Sequence, residues 1–116
     1  MDDLISLLKN LGLTGKESKA YLLLVKSGPM LIAQIARETG VHRPDLYKVL
    51  PSLQHKGLVT IAPRGKQKRY VAEHPNKLES IIGAIKLDFD KLLPSLNELY
   101  DQPNKRPIIK FGLMVI

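Results

Sequence analysis

The sequence predicts a winged helix-turn-helix: a mainly helical α+β fold with one small β-hairpin, followed by a long C-terminal helix of coiled-coil type. Residues 41–72, VHRPDLYKVLPSLQHKGLVTIAPRGKQKRYVA, read as a helix, a Gly stop and a hairpin with a cationic tip. Residues 37–69 hold eight Lys or Arg against two acidic residues, a surplus of six in a chain of net charge +7. After residue 75, apolar residues recur every seven positions.

Three helices are predicted before residue 41. Helical spacing of apolar residues indicates the first, which ends at Gly12, and this set is Leu4, Ile5, Leu7, Leu8 and Leu11. Thr14 and Glu17 have the spacing of a capping box, which opens a second helix that stops at Gly28-Pro29. The third helix is short and ends at Gly40; its start is weaker, because Leu31 lies where a Ser or Thr cap is expected.

The fourth helix follows a turn at residues 40–43, with Pro44 at the first helical position and Gly57 at its end. One face carries core residues, namely Leu46, Val49, Leu50 and Leu53. Two strands, residues 58–61 and 67–72, then flank a turn at residues 63–66, whose Pro and Gly mark it. This domain is expected to occupy residues 1–74.

A helix whose first turn enters a DNA groove, beside a basic loop on the backbone, requires this arrangement. The candidate contacts of the helix are His42, Arg43, Asp45, Tyr47 and Lys48, and those of the wing are Arg64, Lys66, Lys68 and Arg69. The Arg43 guanidinium is suited to a bidentate contact with guanine. We expect Asp45 to stabilise the helix N-terminus through the helix dipole rather than to contact cytosine. Tyr47 could equally pack under the wing. The alternative for the charge as a whole is a solvated basic surface.

Residues 75–101 predict a dimerisation helix with a seam at positions a and d over about three heptads. The seam residues are Leu78, Ile82, Ile85, Phe89, Leu92, Leu96 and Leu99. The alternative is a helix that packs onto its own domain, but a strict seam fits a partner helix better than a globular face. Pro94 falls at an outward f position. Residues 102–116 predict a linker and the first strand of a domain that this chain does not include.

Composition excludes several other classes. The chain has no Cys, and His42, His55 and His74 are too scattered for a metal site. We find no pairing of a nucleophile with a base, so we expect no enzyme. Nothing in the sequence indicates a cofactor, and no small-molecule effector site is evident in it. No apolar run approaches a membrane span of about 20 residues, and we do not expect the N-terminus to act as a signal peptide. We therefore expect a soluble, cytoplasmic protein.

The stretch LGLTGKESKAYLLLVKSGPMLIAQIARETGVHRPDLYKVLPSLQHKGLV resembles the N-terminal domain of TrmB-type transcriptional regulators. The LGLT opening, the SGP turn, the RP..Y.VL..L..KGLV helix and the KRYVA hairpin carry the resemblance, which spans residues 4–110. It implies a dimeric DNA-binding regulator joined by the long helix, and full-length members usually continue into a sugar-binding domain. Pro51 and Leu31 depart from the family pattern, and Pro51 should bend or shorten the rear half of its helix.

The expected function is a homodimeric, sequence-specific transcription factor that binds double-stranded DNA through the fourth helix and the basic wing. Two alternatives stay open. One is a winged-helix module that docks on an acidic protein, or whose apolar tail completes a partner's sheet. The other is a truncated regulator that lacks its effector domain. Salt-dependent binding to duplex DNA separates the first alternative from the regulator.

Overall fold

The computed structural model describes the backbone of residues 2–64 and 66–102 and the side chains of residues 3–63 and 66–102. Along the chain lie α1 (Asp2–Asn10), α2 (Gly15–Ser27), α3 (Ile32–Thr39), α4 (Arg43–His55), β1 (Val59–Arg64), β2 (Gln67–Ala72), a 3₁₀ turn (Pro75–Lys77) and α5 (Leu78–Tyr100). The predicted fold class, helices with one hairpin and a long C-terminal helix, is confirmed. The linker and strand predicted over residues 103–116 lie outside the described residues.

The predicted capping box opens α2. The backbone N–H of Glu17 donates to the Thr14 hydroxyl at 3.0 Å, and the Glu17 carboxylate accepts from the Thr14 N–H at 2.8 Å. At α3, where Leu31 offers no hydroxyl, the Gln34 side chain accepts from the Leu31 N–H at 2.9 Å. Only this half of the box forms there, because Leu31 has no side-chain oxygen to accept from the N–H of Gln34.

Two predicted boundaries around α4 and the hairpin were wrong. Arg43, assigned to the turn, is the first residue of α4, so Pro44 takes the second helical position. The first strand runs to Arg64 rather than Ile61, and Pro63 faces Lys68 across the hairpin. A proline is tolerated there because both strands of a two-stranded sheet are edges, with one side free of ladder hydrogen bonds. Residues 63 and 64, predicted in the turn, therefore belong to the strand.

A third strand-like contact was not predicted, because no pattern in the sequence indicates it. The backbone of Met30, between α2 and α3, exchanges two hydrogen bonds with Tyr70 of β2, at 3.1 and 2.8 Å. This bridge fixes the hairpin against the start of α3. Because the wing projects from β2, it determines where the wing lies relative to the helices.

One apolar core holds the first four helices and the hairpin. Its members are Leu8, Leu13, Ala20, Tyr21, Leu24, Met30, Ile35, Val41, Leu46, Val49, Leu50, Leu53, Leu58 and Val59. The four core residues predicted on α4 are all among them, three with no exposed surface. Helix α4 is therefore anchored by its inner face, and the opposite face stays available for contacts.

Cα packing separates the described residues into two compact units, one up to Ile82 and one from Gly83 onward. Within the first, Leu78 is half-buried against the core, so this seam position is already partly covered. The other six seam residues, Ile82, Ile85, Phe89, Leu92, Leu96 and Leu99, are each about half exposed. Helix α5 runs through Pro94 to Tyr100. Among residues 2–64 and 66–102, none of the helices combines the length and the apolar character that spanning a bilayer requires.

Replacing Tyr21 by Phe is expected to raise the free energy of unfolding by about 1 kcal/mol. The Tyr21 side chain is 2% exposed, and its hydroxyl has no hydrogen-bond partner among the described residues. Burial raises the pKa of this phenol, in keeping with a site that does not solvate it. Urea unfolding measures the change, with Tyr47→Phe as the exposed control. Destabilisation by Tyr21→Phe would show that the hydroxyl has a partner.

Candidate nucleic-acid interface

A groove of about 490 Å³ lies between the start of α3, the front of α4 and the wing. Its lining residues are Leu31, Ile32, Ala33, Arg43, Tyr47, Lys66, Gln67, Lys68 and Tyr70. Two residues predicted on the helix and two predicted on the wing therefore meet at one surface. Residues 43 and 47 share a helix face because they are four apart, and residues 68 and 70 share a strand face because they are two apart.

The groove combines positively charged side chains with the amphipathic phenol ring of Tyr47. Arg43, Lys66 and Lys68 are exposed, so their charged groups can reach an anionic partner. The Tyr47 side chain is 57% exposed, which decides against its packing under the wing. Guanidinium, ammonium and phenol groups are donors to phosphate oxygens and base edges. The arrangement can hold a polyanion along the groove and place one Arg near base edges.

Of the remaining candidates, none with a described side chain lines this groove. Arg69 is half-buried and alternates to the opposite strand face from Lys68 and Tyr70. His42 and Lys48 are exposed beside Asp45 but do not line the groove. For Arg64 the strand position is described, whereas its side chain lies outside the described part. Gln67 lines the groove but was not predicted, although its place between Lys66 and Lys68 was visible in the sequence.

Asp45 is engaged within the protein. Its Oδ2 atom accepts a hydrogen bond from Lys16 Nζ at 2.8 Å, a residue that the sequence did not connect to this helix. That hydrogen bond, and then the charges of Lys16, His42 and Lys48, hold the pKa of the Asp45 carboxyl below its ordinary value. Because these positive groups offset its charge, the Asp45 carboxylate repels an anionic partner at the front of α4 less than an unpaired carboxylate would.

Behind the groove, the rear of α4 is held by a buried carboxylate. Glu17 is 3% exposed and accepts from Lys56 Nζ at 2.8 and 2.9 Å, and from the Ser52 hydroxyl. Burial alone would raise the pKa of Glu17, but hydrogen bonds from Lys56, Ser52 and Thr14, with the charge of Lys56, outweigh it and hold the pKa below its ordinary value. Glu17 therefore bonds to the rear of α4 in addition to forming the capping box, and its spacing from Thr14 did not predict these further contacts.

The described residues hold no group of three His, Cys, Asp or Glu side chains at ligand distance.

Residues 8–76 match the family model of the sugar-specific transcriptional regulator TrmB. Over 100 residues, covering 85% of this chain and 29% of the relative, the chain is 35% identical to the HTH-type sugar sensing transcriptional regulator TrmBL1 of Pyrococcus furiosus. The chain thus spans under a third of that relative's length.

Solved structures show the same architecture. One of TrmBL2, described as an archaeal chromatin protein with a novel mode of DNA binding, superposes with a TM-score of 0.75 at 29% identity. That match covers 99% of this chain and 43% of the other. A possible transcriptional regulator from Methanosarcina mazei superposes with a TM-score of 0.67 over 87% of this chain and 88% of its own, and at 12% identity it shows the fold alone.

Proposed function

The chain belongs to the TrmB family of transcriptional regulators, and from that premise we propose that it binds double-stranded DNA sequence-specifically as a homodimer. The observation that carries the proposal is the groove in which Arg43 and Tyr47 of α4 lie beside Lys66 and Lys68 of the wing. Helix α4 reads bases in the major groove, and the wing contacts the phosphate backbone. Because its proposed ligand is DNA, we propose that the protein acts in the cytoplasm.

Dimerisation is the second part of the proposal. The six exposed seam residues of α5 supply an apolar stripe that a second copy's helix can cover. Two recognition helices in one dimer bind two half-sites, so the operator is a palindrome or near-palindrome. The family resemblance supports the same arrangement, and the role is that of a DNA-binding regulator without catalytic activity.

Selection from a random duplex pool at two salt concentrations, with sizing of the free protein, tests the proposal. An enriched palindromic site bound by a dimer supports it. Binding without enrichment would reduce it to non-specific attraction, because phosphate contacts alone carry no sequence information. No binding at low salt would overturn it and favour the alternative, a winged-helix module that binds a protein.

Arg43→Ala is expected to cost about 1–3 kcal/mol of discrimination between the selected site and a control duplex. The reason is that Arg43 lies at the first turn of α4 and lines the groove, where guanidinium donors reach guanine O6 and N7. Binding titrations on both duplexes measure it. Arg37→Ala, which removes an exposed charge from α3 instead, should leave the ratio unchanged. Equal affinity of Arg43→Ala and wild type on both DNAs would remove Arg43 from the interface.

Replacing Lys66 and Lys68 together by Gln is expected to weaken binding to all duplexes alike. Each ammonium that neutralises a phosphate contributes about 0.9 to the slope of log K against log salt, so the slope should fall by about 2. The matched control replaces Lys9 and Lys26 by Gln, which removes the same two charges from exposed sites on α1 and α2. A changed site preference with an unchanged slope would mean that the wing reads bases rather than phosphates.

A further inference from the structure

The surface of α4 that faces away from the core has two borders. Helix α4 runs from Arg43 to His55 and is not shortened by Pro51, so its side chains follow one another at about 100° per residue. Measured around the helix axis from Arg43, the arc from about 240° to 340° carries the buried residues Leu46, Val49, Leu50 and Leu53. The remaining arc, from Arg43 round to about 200°, is open to a partner.

The wing and the first turn of α2 lie at opposite borders of this open arc. Tyr47, at about 40° from Arg43, lines the groove that α4 shares with the wing. Asp45, at about 200°, faces the other way, and its Oδ2 atom accepts from Lys16 Nζ of α2 at 2.8 Å. Lys48, at about 140°, is exposed towards the same border. The wing and Lys16 are therefore on opposite sides of α4.

A helix that enters the major groove lies between two phosphate backbones. The groove is about 12 Å wide, and a helix with its side chains is about 10–12 Å across, so side chains at both borders of the helix reach a backbone. Lys66 and Lys68 lie at the wing border and can serve one backbone only. At the other border, the Lys16 side chain is 56% exposed although it donates to Asp45. An ammonium has three donors, so Lys16 retains donors for a phosphate oxygen.

We propose that Lys16 is a further DNA-contacting residue: its ammonium binds a phosphate of the backbone that lies across the major groove from the wing, and Asp45 holds it at that border of α4. The inference rests on the proposed DNA binding by α4. It adds a contact from α2, a helix to which the sequence assigned no part in the interface. Each half-site is then held on both backbones, which fixes the register of α4 on the duplex.

A lysine that only neutralises Asp45 would behave differently. Its loss would weaken DNA binding solely because an unpaired carboxylate would remain at the front of α4. Asp45→Asn removes that carboxylate and keeps the shape of the side chain and one acceptor oxygen. In the Asp45→Asn background a purely neutralising Lys16 is dispensable, whereas a contact to phosphate still contributes to binding. The effect of Lys16→Gln in that background is therefore the decisive quantity.

The experiment measures the affinity of the full chain for a duplex between about 50 and 200 mM salt in Lys16→Gln, Asp45→Asn and the double variant. One phosphate contact contributes about 0.9 to the slope of log K against log salt, so Lys16→Gln should lower the slope by about 0.9 per bound protomer in both backgrounds. Over this fourfold rise in salt, the variant should lose about 3.5-fold less affinity per protomer than its parent.

Lys26→Gln is the matched control, because it removes the same charge from an exposed site in the last turn of the same helix. It should leave the slope unchanged. An unchanged slope in Lys16→Gln, or an equal fall in Lys26→Gln, would overturn the contact. A fall that disappears in the Asp45→Asn background would show that Lys16 acts on Asp45 alone. Because the ion pair is largely exposed, the urea midpoint should hardly change in any of these variants.

Neutral methylphosphonate linkages, placed one at a time along the selected duplex, locate the contact. Wild-type affinity should fall for linkages on both backbones that flank the major groove. Lys16→Gln should become insensitive to a linkage on one backbone, and the paired Lys66→Gln and Lys68→Gln variant to linkages on the other. Loss of sensitivity on the same backbone in both variants would overturn the position assigned to Lys16.

The outcomes for the inference and for the proposed function are distinguishable. If the wild type binds duplexes without selecting one, the sequence-specific part of the proposed function fails, and the salt slope still tests Lys16 on any duplex. If the wild type selects a duplex and the slope of Lys16→Gln is unchanged, the inference alone fails. Absence of duplex binding at low salt would overturn both.

Discussion

Lys56→Met is expected to lower the free energy of unfolding at pH 7 by about 3 kcal/mol, a large share of the stability of a domain this size. The change leaves the Glu17 carboxylate, 3% exposed, without the ammonium that donates to both of its oxygens. Breaking a buried pair on one side costs about 3–5 kcal/mol. The lower end applies here, because the Lys56 side chain keeps 30% exposure and water can partly replace it.

The control is the double variant Glu17→Gln with Lys56→Met, measured by urea unfolding in the same series. Neutralising Glu17 removes the unpaired buried charge, so the double variant should recover about 2 kcal/mol of the loss. Lys56→Arg keeps a donor and should remain near the wild type. If the double variant is as unstable as Lys56→Met, the loss comes from the lysine's packing and not from its charge.

Acidification should bring the free energies of unfolding of the wild type and of Lys56→Met closer together. In the wild type the pKa of Glu17 is lowered on folding, so its contribution to stability is present above the ordinary value of 4.5 and is lost as pH falls through the folded pKa. In Lys56→Met, burial raises the pKa of Glu17 and only the hydrogen bonds from Ser52 and Thr14 oppose it. Glu17 is therefore protonated at a higher pH in the variant than in the wild type, and its protonation removes the unpaired buried charge. The difference in free energy of unfolding should shrink from pH 7 towards pH 3, and a constant difference would contradict the assignment.

Glu17 also shows where sequence reasoning stops. Its capping box was predicted because Thr14 and Glu17 are three residues apart, and such contacts depend only on local helix geometry. Its bonds to Ser52 and Lys56 span 35 and 39 residues, and no periodicity encodes a side-chain contact at that separation. The Met30–Tyr70 bridge was missed for the same reason, since a single-residue pairing leaves no alternating pattern.

The candidate site was predictable to the extent that it depends on faces. Arg43 and Tyr47 were assigned from helical spacing and do line the groove. Arg69 was grouped with Lys68 by charge, although strand alternation alone puts neighbouring residues on opposite faces. The position of the wing against α3 could not be predicted, because it depends on the backbone bridge at Tyr70. Periodicity thus assigns a residue to a face, whereas tertiary contacts decide which faces meet.

Leu92→Glu is expected to convert the proposed dimer into a monomer and to weaken binding to the selected palindromic duplex by roughly 10²–10⁴-fold. Leu92 lies at a d position in the middle of the seam and is 52% exposed in the single chain. In a dimer it would be covered, and a carboxylate there would be desolvated without a partner. A monomer loses the advantage of binding two half-sites at once, so affinity falls although the groove is unchanged.

Leu87→Glu provides a closely matched control, because it replaces the same residue type with the same charge on the same helix. Leu87 is 61% exposed and lies at an f position, pointing away from the seam of the proposed dimer. Light scattering and DNA titration should show Leu87→Glu as a dimer with wild-type affinity. If both variants are monomers, a wider face of α5 forms the interface. If both remain dimers, some other surface joins the two copies, and the spacing of seven is then a feature of α5 unrelated to dimerisation.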